Sequence, residues 1–503
     1  MYNNQRPERW VSLLATSLLF ATFFFSNPGH SQAQQLEDMI LRQQVEAHLR
    51  FLASDELKGR KTGEMGNWVA ARYIAEQFRR FGLKPGGGKS FYQIIPFGMV
   101  IPPSQGTLSL GEQKMNISDD LLIRSAPKSD LTGVVKFLPH ATSEEITKEV
   151  DGKLVIAYFG SDEVSDPLEA LSLTAEKKHQ LKAQGALGLV EIYNGRHPWN
   201  LIKRYLGSGR MEILDGDGEM DFPVLLVNNL SEETLNALKD DELDFQFVTD
   251  GTEIRKDPSP NVVGVIPGKD PKLKDEYVAL TAHFDHVGTF KSQERPSTEK
   301  DSIFNGARDN AFGVTALLSA AETLGKNPPA RSVIFIAFTA EEVGLLGSKY
   351  YVEHPTVPLE KIIFNLNTDG AGNSDSTIVS VMGLNRVGAA PELNKACEAF
   401  GLETFADPAP EQNLFDRSDN VSFAAKGIPA PTFSPGFRQF DNEILKNYHQ
   451  PGDEVETIDL SYVVKFCKAY AYAARLVADK SSRPKWSTGD KYESAFMELY
   501  GDK

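Results

Sequence analysis

The chain has 503 residues, 41% hydrophobic and 24% charged, with 53 basic against 69 acidic residues and a formal net charge of −16. Such a length exceeds one hydrophobic core, so two domains are expected, and the composition excludes a mostly disordered, collagen-like or coiled-coil chain. The acidic balance argues against nucleic-acid binding, which needs clustered Lys and Arg, and two cysteines cannot build a disulfide scaffold or a cysteine-ligated zinc module.

In chain order, the first segment reads as a secretory signal. Arg6 and Arg9 precede an almost wholly apolar run over residues 10–25, and Ser31-Gln32-Ala33 offers small residues at the spacing a signal peptidase accepts. The run is short for a spanning helix. Cleavage after Ala33 is therefore expected, with the mature protein periplasmic or secreted and not inserted in a membrane. That compartment permits a disulfide between Cys397 and Cys467. Each cysteine also lies on a helical apolar stripe, so two buried, inert thiols are the other reading.

Residues 36–94 carry two helical stripes, Leu41, Val45, Leu49 and Leu52, then Val69, Tyr73, Ile74 and Phe78. A polar loop containing Gly59, Arg60 and Gly63 separates them, and Gly82 and Pro85 end the second. From 96 to 250 short β-like runs dominate (134–138, 154–159 and 224–227), with one helix through residues 175–184. The acidic run Asp240-Asp241-Glu242 reads as a solvated face. From 261 onward, strands expected over 261–266, 277–281, 332–338, 362–366, 377–381 and 430–433 alternate with helices over 310–324, 345–352 and 463–478. Such alternation predicts an α/β fold: a mixed, mostly parallel sheet flanked by helices, with a β-rich inserted domain. From Ser481 the chain is polar, and a loose tail is expected.

The chemistry gathers where these strands end. His283-Phe284-Asp285, Arg308-Asp309-Asn310, Glu341-Glu342, Thr368-Asp369 and Tyr448-His449 each follow a strand or precede a helix. Ligands of open α/β sheets bind outside the carboxyl ends of the strands. Imidazole and carboxylate are good zinc ligands, and a two-metal site needs one bridging carboxylate plus terminal ligands for each ion. His283, Asp309, Glu342, Asp369 and His449 meet that count. Glu341, beside a ligand, is suited to take a proton from the attacking water and return it to the leaving amine. Asp285 is in register to accept the other ring N–H of His283 and so fix its orientation. His286 competes with His283 as a ligand; His283 is preferred for its place at the strand end. Taken singly, each residue has a plain structural reading: Asp309 as an N-cap, Asp369 as a turn residue, the glutamates as partners of a helix dipole. Five of them at strand ends favour one site.

In that order these residues, with Gly344-Leu345-Leu346-Gly347-Ser348, Ser418-Asp419-Asn420 and Gly427-Ile428-Pro429, resemble the co-catalytic zinc aminopeptidase family, which includes glutamate carboxypeptidases and glutaminyl cyclases. The middle segment resembles a protease-associated insert. The resemblance implies a zinc-exopeptidase-like fold and two zinc ions per chain, with Asp309 bridging, His283 and Asp369 on one ion, Glu342 and His449 on the other, Glu341 as general base and acid, Asp285 behind His283, and often a cis bond between Asp309 and Asn310. With the patterns above, the expected division is residues 1–33 as signal, 34–95 and 251–480 as the peptidase domain, 96–250 as the insert and 481–503 as the tail. Asn420 departs from a histidine common at that position, which bears on pocket shape and not on the ligand set. The expected function is an exported aminopeptidase acting on peptides, whose rate falls in acid as Glu341 and the ligands protonate. The rivals are a carboxypeptidase, for which Arg308, Arg417 and Arg438 are candidate carboxylate partners, and a non-catalytic binding module on the same fold. Oligomeric state is open.

Overall fold

The structure is a computed structural model that describes residues 1, 28–117, 119–161, 167–195, 197–214, 222–240, 243–291, 301–370 and 372–501. Most of the expected signal segment, residues 2–27, and Asp241 and Glu242 of the acidic run lie outside the described residues.

The main sheet is parallel at its centre. Strands Ser332–Phe338, Tyr277–His283, Ile362–Asn367 and Thr432–Pro435 lie side by side in that order, all parallel. Ser259–Ile266 joins one side antiparallel and Ile378–Met382 the other, and Glu403–Ala406 closes the latter edge. The three longest central strands are almost entirely buried. Continuous apolar runs such as Val278–Leu280 and Val333–Phe338 suit strands covered on both faces. Helices Phe312–Lys326 and Leu460–Asp479 pack together and onto Tyr277–His283, with Arg42–Leu52 against both helices. Helix Met65–Arg80 packs on Ser259–Ile266. A single core runs through these elements, from Leu36 to Tyr500.

The middle of the chain builds its own sheets. Eight strands, from Gly106–Leu110 to Asp244–Thr249, form one sheet, and Arg210–Ile213, Phe97–Ile101 and Glu253–Lys256 form a second. The larger sheet has apolar clusters separate from the main core. The smaller sheet meets the main body through Phe97, Met211 and Ile213, which share a cluster with Ala340, Val343 and Leu346.

One expectation changes, and of the two readings of the cysteines the structure takes the buried, inert one. The segment after Ser481 is not loose: Glu493–Tyr500 is a helix with Phe496 and Tyr500 buried, the Tyr500 hydroxyl donates to the Ile362 carbonyl, and the indole N–H of buried Trp486 donates to Gly427 O at 3.0 Å. The apolar residues are too few to show a stripe, but Phe496 and Tyr500 stand one helical turn apart and both face the core. Cys397 and Cys467 are free and buried, and burial pushes both thiols up, that of Cys467 to about 12.

Candidate metal centre

Each donor is delivered by the element that precedes it. Strand Tyr277–His283 ends on His283, whose side chain is 1% exposed. Strand Ser332–Phe338 runs into Thr339 and Ala340, and Ala340 takes φ +61 to turn the chain toward Glu341 and Glu342. Strand Ile362–Asn367 leads to Asp369. Asp309 lies in the irregular turn Ala307–Ala311 before helix Phe312–Lys326, and the Asp309–Asn310 bond is cis. His449, at φ +54, follows helix Asn442–Asn447 and stacks on Tyr448 with centroids 4.1 Å apart. Gly306 has φ +57, and a Cβ there would stand 2.2 Å from Asp309 O and 2.6 Å from the His286 ring, so only glycine allows this approach.

Side chains from these separate loops meet. Asp309 Oδ1 lies 3.3 Å from His283 Nε2 and its Oδ2 lies 3.3 Å from His449 Nε2. Asp369 Oδ1 is 3.1 Å from His283 Nε2, and Glu342 Oε2 is 3.0 Å from His449 Nε2. Two donor sets result, His283, Asp369 and Glu341 on one side, His449, Glu342 and His286 on the other, with one oxygen of Asp309 turned to each. His286 therefore does not replace His283; both are at the centre, with His286 Nδ1 2.7 Å from Glu342 Oε1.

Asp285 is close by in a different way from that expected. His283 Nδ1 lies 3.2 Å from the Asp285 carbonyl but 3.8 Å from its carboxylate. The carboxylate instead accepts from the Thr62 hydroxyl at 3.1 Å and from the backbone N–H groups of Glu341 and Glu342 at 3.2 and 3.4 Å. It holds the glutamate turn, while the carbonyl sets the imidazole. Three further residues, not singled out by spacing, complete the frame. Ser418 donates to Asp369 Oδ2 at 2.6 Å. Asp453 accepts from the N–H of Arg308 at 2.9 Å and of Asp309 at 3.3 Å, tying the His449 loop to the Asp309 turn. Arg60 spans two of the loops. Of these, Ser418 carries a cue in the Ser418-Asp419-Asn420 stretch and Asp453 in its place four residues after His449.

The electrostatics of the cluster are set by its crowded carboxylates. Burial alone would lower His449, yet hydrogen bonds to Asp309 and Glu342 lift it to about 10. Burial also opposes protonation of His283, but Asp369, Glu341 and the bond to Asp309 hold it well above its ordinary value. Burial and Asp309 push Glu342 up, and the His286 and His449 contacts outweigh them, leaving it at about 2. Glu341, which receives no such bond, is raised by burial and by its acidic neighbours Asp369, Glu342 and Asp419, against the pull of His283. Protons on the histidines thus supply the positive charge in direct contact with these carboxylates among the described residues. A divalent cation between the same atoms would replace them: Nε2 then offers a lone pair, Nδ1–H of His283 keeps the Asp285 carbonyl, and the oxygens keep a cation. The donor sets fit two zinc ions in residue type and grouping.

The parallel-centred sheet gathers imidazole and carboxylate donors at its carboxyl ends, an arrangement suited to hydrolysis assisted by a bound metal. The pattern of Peptidase family M28 matches residues 261–474, and over that segment the chain is similar to zinc aminopeptidases. Aminopeptidase YwaD of Bacillus subtilis (strain 168) is 26% identical over 315 residues, covering 62% of this chain and 61% of that protein. The probable leucine aminopeptidase 2 of Aspergillus oryzae is 30% identical over 250 residues, 45% of this chain and 47% of that protein. The chain thus matches less than two thirds of the length of either relative. Among solved structures, the aminopeptidase from Aneurinibacillus sp. strain AM-1 shares the fold over 90% of this chain and 99% of its own, with TM-score 0.52 and 21% identity.

Proposed function

We propose that this chain is an exported aminopeptidase that works with two zinc ions and releases N-terminal residues from peptides. The observation that carries the reading is Asp309, whose two oxygens address His283 and His449 separately, as a bridging ligand must. His283 and Asp369 would hold one ion, and Glu342 and His449 the other. His286 stands behind Glu342, on its other oxygen. Bound zinc supplies Lewis acidity and makes water a nucleophile near neutral pH. Glu341 is left free of any ligand partner histidine, and its raised proton affinity suits it to accept the water's proton and pass it to the leaving amine. Asp285, through the Glu341 and Glu342 amides, keeps that carboxylate aimed. Beyond the donors, Met382, Leu414, Phe437 and Phe440 line the same pocket, an apolar wall suited to the side chain of an N-terminal residue. Export is supported by the signal-like first segment, and among the described residues no helix is long and apolar enough to cross a membrane.

The carboxypeptidase reading narrows to one residue. Arg308 is taken up by Asp453 at 2.9 Å and Arg438 by Asp375 at 2.8 Å, and only Arg417 of the three lines the pocket. Hydrolysis of aminoacyl and N-blocked peptides by the mature protein separates the two, run with zinc, after chelation, and with Glu341→Gln. Release of free N-terminal residues, lost on chelation and lowered about 100- to 10,000-fold in Glu341→Gln, is expected. Cleavage confined to N-blocked peptides with acidic C-termini would overturn the aminopeptidase reading. Zinc binding without turnover of any substrate would favour a binding module.

A further inference from the structure

We propose that Arg60 is a positioning residue that sets the spacing of the metal ligands, acting from outside the matched peptidase segment. It ends the short turn Asp55–Arg60 at φ +49 and is 1% exposed. Its guanidinium spends its donors on backbone carbonyls. Nε donates to Phe284 O at 2.7 Å, Nη1 to Asn305 O at 2.7 Å and to Leu52 O, and Nη2 to Gly306 O at 3.0 Å. Phe284 lies between His283 and Asp285, and Gly306 opens the turn that carries Asp309. One rigid fork therefore registers the His283 loop against the bridging aspartate, two segments that meet at His283 Nε2 and Asp309 Oδ1. The backbone on either side does the same work, with the His286 N–H on Arg60 O at 3.4 Å and the Gly288 N–H on Gly59 O at 3.1 Å.

The charge of Arg60 points the same way. No carboxylate among the described residues pairs with it directly, and burial lowers its guanidinium to about 10. The negative charges facing it are Asp309, Asp285, Asp453 and Glu342, the acidic centre itself. A buried cation with its donors on carbonyls and its counter-charge in the ligand cluster serves that cluster more than it serves a local ion pair. Lysine cannot substitute, because a point ammonium with three donors cannot reach carbonyls on three segments in a planar fork.

The inference rests on the two-zinc reading, so the test measures zinc itself. Zinc affinity is read by chelator competition for the wild type and Arg60→Lys, alongside unfolding of the zinc-free proteins and kcat and KM of the zinc-loaded ones. Arg60→Lys is expected to bind zinc about 10- to 100-fold more weakly, as when a partner behind a metal ligand is lost, with kcat lowered more than KM is raised. Should the variant fold only at high zinc, the zinc dependence of its unfolding midpoint yields the same affinity by linkage. Unchanged zinc affinity with a lower zinc-free melting temperature, or failure to fold at any zinc concentration, would make Arg60 purely structural and overturn the proposal. A wild type that binds no zinc would instead sink the underlying reading of the site.

Discussion

Two regions of this chain bury charge, and they do so in opposite ways. In the inserted segment, Glu191 lies 3.0 Å from Lys177, with side chains 1% and 6% exposed. Lys177 also donates to the carbonyls of Tyr158 and Gly160, and Thr174 donates to the second Glu191 oxygen at 2.6 Å. The chain supplies every partner, and the pair closes on itself. At the sheet's carboxyl ends, Asp285, Asp309, Glu341, Glu342 and Asp369 crowd around three histidines, and His286 Nε2 has no hydrogen-bond partner among the described residues. Burial drives Asp419, in the same neighbourhood, up to about 7. Buried charge left in excess by its own chain marks a place for a cation from outside, whereas a completed pair marks a structural element.

The sharpest way to break that contrast is to remove the bridge. Asp309→Asn keeps the size of the side chain but offers one carboxylate oxygen fewer to the two donor sets. It is expected to bind fewer than two zinc ions by metal analysis after dialysis. Peptide hydrolysis should fall more than about 100-fold, the upper range for losing a residue behind a ligand. Full zinc stoichiometry in Asp309→Asn would remove the observation on which the two-metal reading rests.

The converse experiment acts on the closed pair. Lys177→Met leaves Glu191 buried without its cation and is expected to destabilise the protein by about 3–5 kcal/mol. Replacing both residues by methionine should cost much less than the sum of the single changes, because no unpaired charge remains. Urea unfolding of the two single variants and the double variant measures the coupling. Zinc content and hydrolysis should stay at wild-type values in the folded variants. A change in either would mean that the insert's ion pair and the metal centre are not independent.

The difference between the two regions also explains what could be read in advance. His283, Glu341, Glu342 and Asp369 were legible because each directly follows a buried apolar strand, where α/β sheets bind ligands, and period and burial are sequence properties. The joint presence of His283 and His286 was not legible, since both follow one strand end and only the turn of the loop decides where each ring points. Asp285 illustrates a finer limit. Its position was legible, but whether its carbonyl or its carboxylate faces His283 is set by the Glu341 turn, 56 residues on. Arg60, Ser418 and Asp453 act through contacts distant in sequence, for which a single chain holds no periodic signal. In the insert, eight short strands pair in an order far from their order in the chain, and register there follows from packing on the separate apolar clusters.

The mildest test uses a third buried ionisable group, one with no carboxylate in direct contact among the described residues. His48, on helix Arg42–Leu52, is 4% exposed, and its Nδ1 lies 2.8 Å from the Tyr73 hydroxyl. Burial, aided by Arg80 and opposed by the charge of Glu322, lowers it to about 4, whereas carboxylates in contact lift the half-buried His449 to about 10. Above pH 6.5 His48 is neutral in both folded and unfolded chains and costs nothing. Below that value the unfolded chain takes up a proton that the folded chain refuses until about pH 4, so stability falls as the pH drops through this window. The full loss is on the order of 3 kcal/mol, from 1.36 kcal/mol per pH unit. Denaturant unfolding of zinc-free wild type and His48→Gln at pH 7 and pH 4.5 is the measurement, since the titrations of the metal centre are common to both proteins and cancel in the difference. The variant should lose less stability than the wild type over that interval. Parallel losses would mean that His48 is already protonated in the fold, and that burial without a carboxylate partner does not keep an imidazole neutral in this protein.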